Sequence, residues 1–487
     1  MRKFFISAIV AIDIFIATVI SAMPTVYPTG TTIYKPDRAW NGYTVFPAAG
    51  DLPAVMIDMN GNAVKLLEGL EEVSCPIKML PGGIVMGGLG TRKGYQEVNR
   101  VVKVDWDGNI LWSFNGVEEI KDKDAETYWS ARQHHDYQME GNPVGYYVPG
   151  MDFKERGNVL ILSHKNWINP DINQKTLLDD LIVEVDYTGK IIWQWLAGEH
   201  FNEMGFDEAA RKAIAGNLGR SNDWIHINNV NYLGPNKWFD KGDERFHPDN
   251  IITDGREANI IMIIDKKTGM IVWKLGPDFT GTPALKNLGQ IVGQHHVHMI
   301  PRGLPGEGNI LVFDNGGEAG YGSPNPGAPA GIGNAKRDYS RVIEFDPITL
   351  EIKWQYTFKE AGYFMTDSYK FYSHYISAAQ RLPNGNTMIT EGADGRIFEV
   401  TADHELVWEY VSPYFVSYPG GKPENRTWNL VYRAYRVPYE WVPQLKRPKE
   451  KSVIPPANGD FIVPGTTRAV RDGAVTRVKA DEQKSGM

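Results

Sequence analysis

One hairpin motif recurs along this chain, and its recurrence limits the possible folds more than any single segment does. Written as apolar-x-apolar-Asp-x-x-Gly-x-apolar-x-Trp, it stands as VVKVDWDGNILW at 101–112 and IVEVDYTGKIIW at 182–193. With one more turn residue it recurs as IMIIDKKTGMIVW at 261–273 and VIEFDPITLEIKW at 342–354. Weaker copies are AVMIDMNGNAVKL at 54–66 and IFEVTADHELVW at 397–408, where Thr401 replaces the aspartate. Each copy alternates apolar and polar residues, turns on Asp and Gly, and alternates again, which predicts a β-hairpin. Trp112, Trp193, Trp273 and Trp354 stand 81, 80 and 81 residues apart, and Trp408 follows after 54. Repeats of roughly 50 residues with insertions predict a propeller, in which four-stranded sheets bury their faces only against their neighbours.

The intervals supply the remaining strands. CPIKMLPGGIVMGG (75–88), HHVHMIPRGLPGEGNILVFDNGG (295–317) and HYISAAQRLPNGNTMITEG (374–392) each hold a strand, a Pro-Gly or Asn-Gly turn and a second strand. The expected fold is therefore all-β: a six-bladed β-propeller over 48–445, with inserted loops and an extended N-terminal lead-in at 23–47. Only FNEMGFDEAARKAIAGN (201–217) reads as helix. Residues 446–487 read as a charged, Pro-rich tail, resting on the body through Phe461-Ile462-Val463. Ahead of the lead-in, Arg2-Lys3, an apolar run from Phe4 to Ile20 and Ser21-Ala22 have the layout of a signal peptide, 1–22. An uncleaved anchor is the alternative, and Asp13 is unfavourable inside either one. The expected location is periplasmic or secreted, with no stable membrane insertion of the mature chain.

With a formal net charge of −8, the chain gives no reason to expect a nucleic-acid partner. Its single cysteine, Cys75, excludes an intramolecular disulfide and any multi-cysteine metal site. Gly-x-Ser-x-Gly and His-Glu-x-x-His are both missing, and GGLG at 87–90 has no helix after it, so the usual hydrolase, zincin and phosphate-loop signals are lacking. Histidine placement is the informative pattern. His226, His295 and His374 each open the first strand of an interval, in consecutive repeats, and His134 and His135 hold a similar place earlier. In a propeller such positions converge on the axis. His164, His200, His247 and His404 fall in turns or on outer strands. Arg433 and Arg436, in NLVYRAYRVPYEWV (429–442), are the arginines placed to hold an anionic oxygen group.

DWIHINNV (223–230), the QH of GQHHVHM with FDNGG (313–317), and SHYISAAQRLPNGNTMITEGADGRIFEV (373–400) resemble the bacterial arylsulfate sulfotransferase family over residues 28–445. The resemblance implies an enzyme that moves a sulfuryl group from a phenolic sulfate donor to an acceptor phenol by a ping-pong route, without a nucleotide sulfate donor or other cofactor. It implies His374 as the nucleophile that becomes sulfohistidine, with His226 and His295 holding the sulfuryl oxygens. Two departures stand out. The family arginine after the DNG is replaced by GGEAGYG following Asn315, so Arg433 or Arg436 would substitute, and Val297 stands where members carry a polar residue. His296 and His298 are expected to take over that substrate-binding role, and Thr427 falls near a family threonine. A metal-dependent propeller lyase or hydrolase built on the histidines, or a non-catalytic ligand-binding propeller, are the competing readings. No metal is expected at this site, and a homodimer is compatible with the sequence.

Overall fold

The computed structural model describes residues 28–50, 52–70, 75–92, 94–122, 126–216, 222–417 and 426–455. The expected signal peptide and residues 456–487 with Phe461-Ile462-Val463 lie outside the described residues. The regular structure described is mostly strand, in antiparallel meanders arranged like a propeller. All of the expected hairpins are present: Ala54–Ile57 with Ala63–Leu67, Glu97–Val104 with Ile110–Phe114, and Leu177–Val185 with Ile191–Leu196. Ile260–Ile264 pairs with Ile271–Leu275, Arg341–Phe345 with Ile352–Tyr356, and Arg396–Val400 with Leu406–Val411. In five of these turns an aspartate caps the backbone, and in the sixth a threonine does. Asp105 Oδ1, for instance, accepts the N–H groups of Asp107 and Asn109 at 2.9 and 2.8 Å, and Thr401 Oγ1 does the same for Glu405 at 3.0 Å.

The tryptophans explain why the motif ends as it does. Each indole N–H crosses to the next hairpin and donates to the carbonyl just after its Asp position. Trp112 reaches Tyr187 O (3.1 Å), Trp193 reaches Lys266 O (2.9 Å), Trp273 reaches Pro347 O (3.1 Å) and Trp354 reaches Ala402 O (3.0 Å). Trp408 then returns to the first hairpin at Met59 O (2.8 Å). The first copy has no Trp, and there Lys65 Nζ donates to Trp106 O at 2.8 Å. A closed rim of side-chain-to-backbone bonds therefore links every hairpin to its neighbour. We predict that Trp408→Phe, which leaves the Met59 carbonyl with only the longer 3.3 Å bond from the Thr31 hydroxyl at the closing step, costs about 1 kcal/mol in urea unfolding. Trp354→Phe, at an exposed bond, should cost less.

The two ends of the chain also close the ring. Tyr435–Val437 completes the sheet of Tyr43–Phe46, Ala54–Ile57 and Ala63–Leu67, while Gly30–Tyr34 adds a fifth strand outside Leu406–Val411. The lead-in is thus extended, as expected, and paired. The tail docks by reciprocal Tyr34–Val453 backbone bonds of 2.8 and 2.9 Å. Helices Phe201–Met204 and Glu208–Gly216 match the expected helical stretch. Two short helices, Lys237–Asp240 and Pro283–Leu288, were not expected; they are started by the N-caps Asn236 and Thr282. Among the described residues, no helix is long and apolar enough to cross a membrane.

Candidate active site

The first strands of neighbouring sheets are stitched together at the centre. Gln138 Nε2 donates to Asn231 Oδ1 (2.6 Å), Asn229 and Asn231 donate to Val297 O (2.9 and 3.0 Å), and Gln380 Nε2 donates to Arg436 O (2.9 Å). Above this belt, Asn315 organises the histidines. Its Oδ1 lies 2.8 Å from His295 Nδ1, and its Nδ2 donates to the carbonyls of Ser373 and Ile376, both at 2.7 Å. The FDNGG stretch therefore grips the segment carrying His374 from both sides. Gly317 completes the fit, because a Cβ there would stand 1.9 Å from the His374 carbonyl oxygen. The neighbouring Asp314 is held by Arg337 and Arg341 at 2.5 and 2.7 Å.

His374 is half-buried, and its imidazole nitrogens have no hydrogen-bond partner among the described residues. Burial, aided by the Arg256 charge, holds its pKa below the ordinary histidine value, so it is neutral at pH 7. His226 is the opposite case. Its Nδ1 lies 2.5 Å from Asp223 Oδ2. Burial opposes its charge, but the Asp223 carboxylate outweighs burial and raises its pKa. His135 packs edge-on against His226 at 4.7 Å between centroids. His295 is fully buried and held neutral by burial and by Arg256; with Gly293 O and Asn315 Oδ1 both accepting at Nδ1, that nitrogen carries the proton. Arg256, whose backbone N–H bonds His226 O at 3.1 Å, is the cation common to His226, His295 and His374.

A second layer lies deeper. Asp136 Oδ1 meets Lys78 Nζ at 2.6 Å and its Oδ2 meets Arg433 Nη1 at 3.0 Å, all three fully buried or nearly so. Arg433 also donates to Asn228 O (3.1 Å) and Tyr435 OH (3.2 Å). Two cations share one carboxylate, so this layer is net positive while Lys78 is charged; burial lowers the Lys78 pKa to about 8. His296 lies 3.4 Å from Tyr435 OH, and His298 lies 2.9 Å from Tyr146 OH, their rings 4.6 Å apart.

A family model described as Arylsulfotransferase (ASST) matches residues 97–409. The chain belongs to the arylsulfotransferase family. No match was found among curated proteins. Among solved structures the chain is similar to a protein of unknown function from Bacteroides caccae, at 11% identity over 82% of this chain and 99% of that one, TM-score 0.40. It is similar too to virginiamycin B lyase from Staphylococcus aureus (11%, 80% and 87%, TM-score 0.34) and to apo AztD from Citrobacter koseri (10%, 82% and 98%, TM-score 0.34).

In this arylsulfotransferase-family chain the expected site residues divide. The Arg256 charge acts on His226, His295 and His374, and Asn315 joins the His295 ring to the segment that carries His374. His296 and His298 are fully buried in the deeper layer, and Arg433 is committed there to Asp136. Arg436 is not with the histidines. It packs between sheets over the Trp408 ring, bonded to Thr44 Oγ1 (2.6 Å), Trp40 O (2.8 Å) and Glu399 (3.2 Å). Thr427 is exposed on a two-stranded ribbon, Val416–Ser417 with Arg426–Trp428, whose Trp428 indole donates to Tyr375 OH at 3.1 Å, beside His374. His164, expected on an outer strand, is stacked on His134 at 3.6 Å. Arg256, Asp223 and Asn315 were not singled out from the sequence. For Asp223, the signal was the i, i+3 spacing inside DWIH.

Proposed function

We propose that this chain is a six-bladed propeller sulfotransferase that carries a sulfuryl group from a phenolic sulfate ester to an acceptor phenol through a sulfohistidine at His374. The six-blade reading rests on the six hairpins and on the eight-stranded sheet, whose two four-stranded halves meet only through the Gln133–Val98 bridge. Family membership supports arylsulfate sulfotransferase activity in general. The single observation that carries the site assignment is the separation of two imidazoles by environment: His374, without a hydrogen-bond partner among the described residues, is pushed toward its neutral form by burial, and His226, against burial, is pulled toward its charged form by Asp223. Titratable groups whose surroundings push their pKa values apart divide into nucleophile and acid.

The steps follow from that division. A lone pair of the His374 imidazole attacks sulfur, the N–S bond forms and the S–O(aryl) bond breaks. The departing phenolate oxygen keeps the bonding pair and takes the proton of His226. Arg256 and the deeper positive layer offset the negative charge of the sulfuryl oxygens. The acceptor phenol then enters, neutral His226 removes its proton, and its oxygen attacks sulfur as the N–S pair returns to the imidazole. Water must be kept from competing, and the half-buried setting of His374 serves that end.

Nitrophenyl sulfate tests the reading. Nitrophenol release beyond one equivalent per chain should need an added phenol, and donor alone should leave one sulfuryl group on the protein by intact mass. Equal release with and without acceptor, or no release at all, would sink it. The pH profile of donor turnover should be bell-shaped. The acid limb is set by His374, which must lose its proton, and lies below the ordinary histidine value. The alkaline limb is set by His226, which must keep its proton, and lies above that value. Asp223→Asn removes the carboxylate that raises His226, so its alkaline limb should move to lower pH while the acid limb stays.

A further inference from the structure

Beside the reacting histidines lies a second cluster that sulfuryl transfer does not use. Three consecutive strands of one sheet supply it: His134 from Gln133–Met139, His164 from Val159–Trp167 and Asp180 from Leu177–Val185. His164 and Asp180 are direct cross-strand partners. His134 Nε2, His164 Nε2 and Asp180 Oδ1 all lie within 4.8 Å of one another, at 3.0 Å for His134–Asp180 and 3.9 Å for His164–Asp180. All three residues are at most 2% exposed, and each of these atoms is buried without a hydrogen-bond partner. Such orphaned atoms are rare singly, and here three face one another.

The opposite end of each side chain is engaged. His164 Nδ1 lies 2.9 Å from Glu97 Oε1, a carboxylate also held by Arg92 and Arg132 at 2.9 and 2.8 Å. That carboxylate fixes the proton on Nδ1 and leaves Nε2 as a lone pair. Asp180 Oδ2 accepts the Ile227 N–H at 2.8 Å, which turns Oδ1 toward the histidines. His134 Nδ1 lies 2.8 Å from His135 Nδ1. Outer partners of this kind, a carboxylate behind one imidazole above all, are how proteins orient metal ligands.

We propose that His134 Nε2, His164 Nε2 and Asp180 Oδ1 bind a divalent transition cation of the zinc class. Two imidazoles and one carboxylate suit zinc and leave a further coordination position for water. The cation would neutralise the facing lone pairs, and by holding His134 at Nε2 it would place the proton on His134 Nδ1. His135 Nδ1 would then be the acceptor of that proton, so His135 carries its own on Nε2. Metal and active site are thereby coupled through His135, which packs on His226.

The test uses the full chain purified without chelator and then stripped and titrated with cobalt. A stoichiometric metal by mass spectrometry, a visible cobalt spectrum and a rise in Tm on adding cobalt or zinc are expected. Asp180→Asn keeps an acceptor for Ile227 and should weaken cobalt binding by at least tenfold, whereas His374→Asn should bind as tightly as the parent. Protein that holds no stoichiometric metal and gives no cobalt spectrum overturns the proposal, whether or not Asp180→Asn folds. So does a folded Asp180→Asn with unchanged affinity, which would mean that the cobalt is held without Asp180. Metal content is read without reference to sulfuryl transfer, so either reading can fail alone.

Discussion

His374→Asn should lower aryl sulfate turnover by about 10⁶-fold, the scale of loss when a covalent enzyme is deprived of its nucleophile. The adduct seen by intact mass should vanish with it. Asparagine has no lone pair able to form the N–S bond, while the backbone clamp from Asn315 and the Gly317 contact act on main-chain atoms and survive the change. Tm should therefore stay close to that of the parent, since the imidazole makes no hydrogen bond that folding depends on. His295→Asn provides the contrast: a residue that forms no bond to sulfur should cost far less and still permit the adduct. An adduct that persists in His374→Asn and disappears in His295→Asn would move the nucleophile to the neighbouring strand.

Asp136→Ala should have the largest effect on stability. Its carboxylate bonds Lys78, Arg433 and the N–H groups of Tyr137 and Val230, the last two at 2.9 and 3.2 Å. Removing it leaves two buried cations facing each other without an anion. Breaking a single buried pair costs about 3–5 kcal/mol, and this change breaks two at once. Urea unfolding should show a loss of at least that size. Lys78→Met, which leaves one carboxylate opposite one guanidinium, should cost clearly less; equal costs would mean that the excess charge is already relieved.

The legible parts of this chain were those written in short range. Asp, Gly and Trp at fixed offsets announced the hairpins, because turn capping and the indole bond both act within or next to one motif. His226, His295 and His374 were legible because each falls at a similar place in the repeat, although only His295 opens a strand; His226 and His374 stand four residues ahead of Val230–Tyr232 and Ala378–Arg381. His164 and Asp180 were not. Their meeting depends on the cross-strand register of strands that run to Trp167 and begin at Leu177, longer than the repeat predicts. Arg256 sits in a loop between two strands, where no period applies, and only the folded loop turns it toward three histidines. Arg436 shows the converse error. It lies three residues from Arg433, but strand pairing with Thr44 sends it between sheets to Glu399.

The indole rim has a wider meaning for how such a chain can change. Its bonds join turn to turn at the periphery, so they are indifferent to how many residues lie between one hairpin and the next. Lengthening a flexible loop costs only about 0.6 kcal/mol per doubling. Insertions of very different size can thus be accepted between hairpins while the circle stays shut. Closure and recognition are inherited separately, and new specificities can be tried without risking the ring.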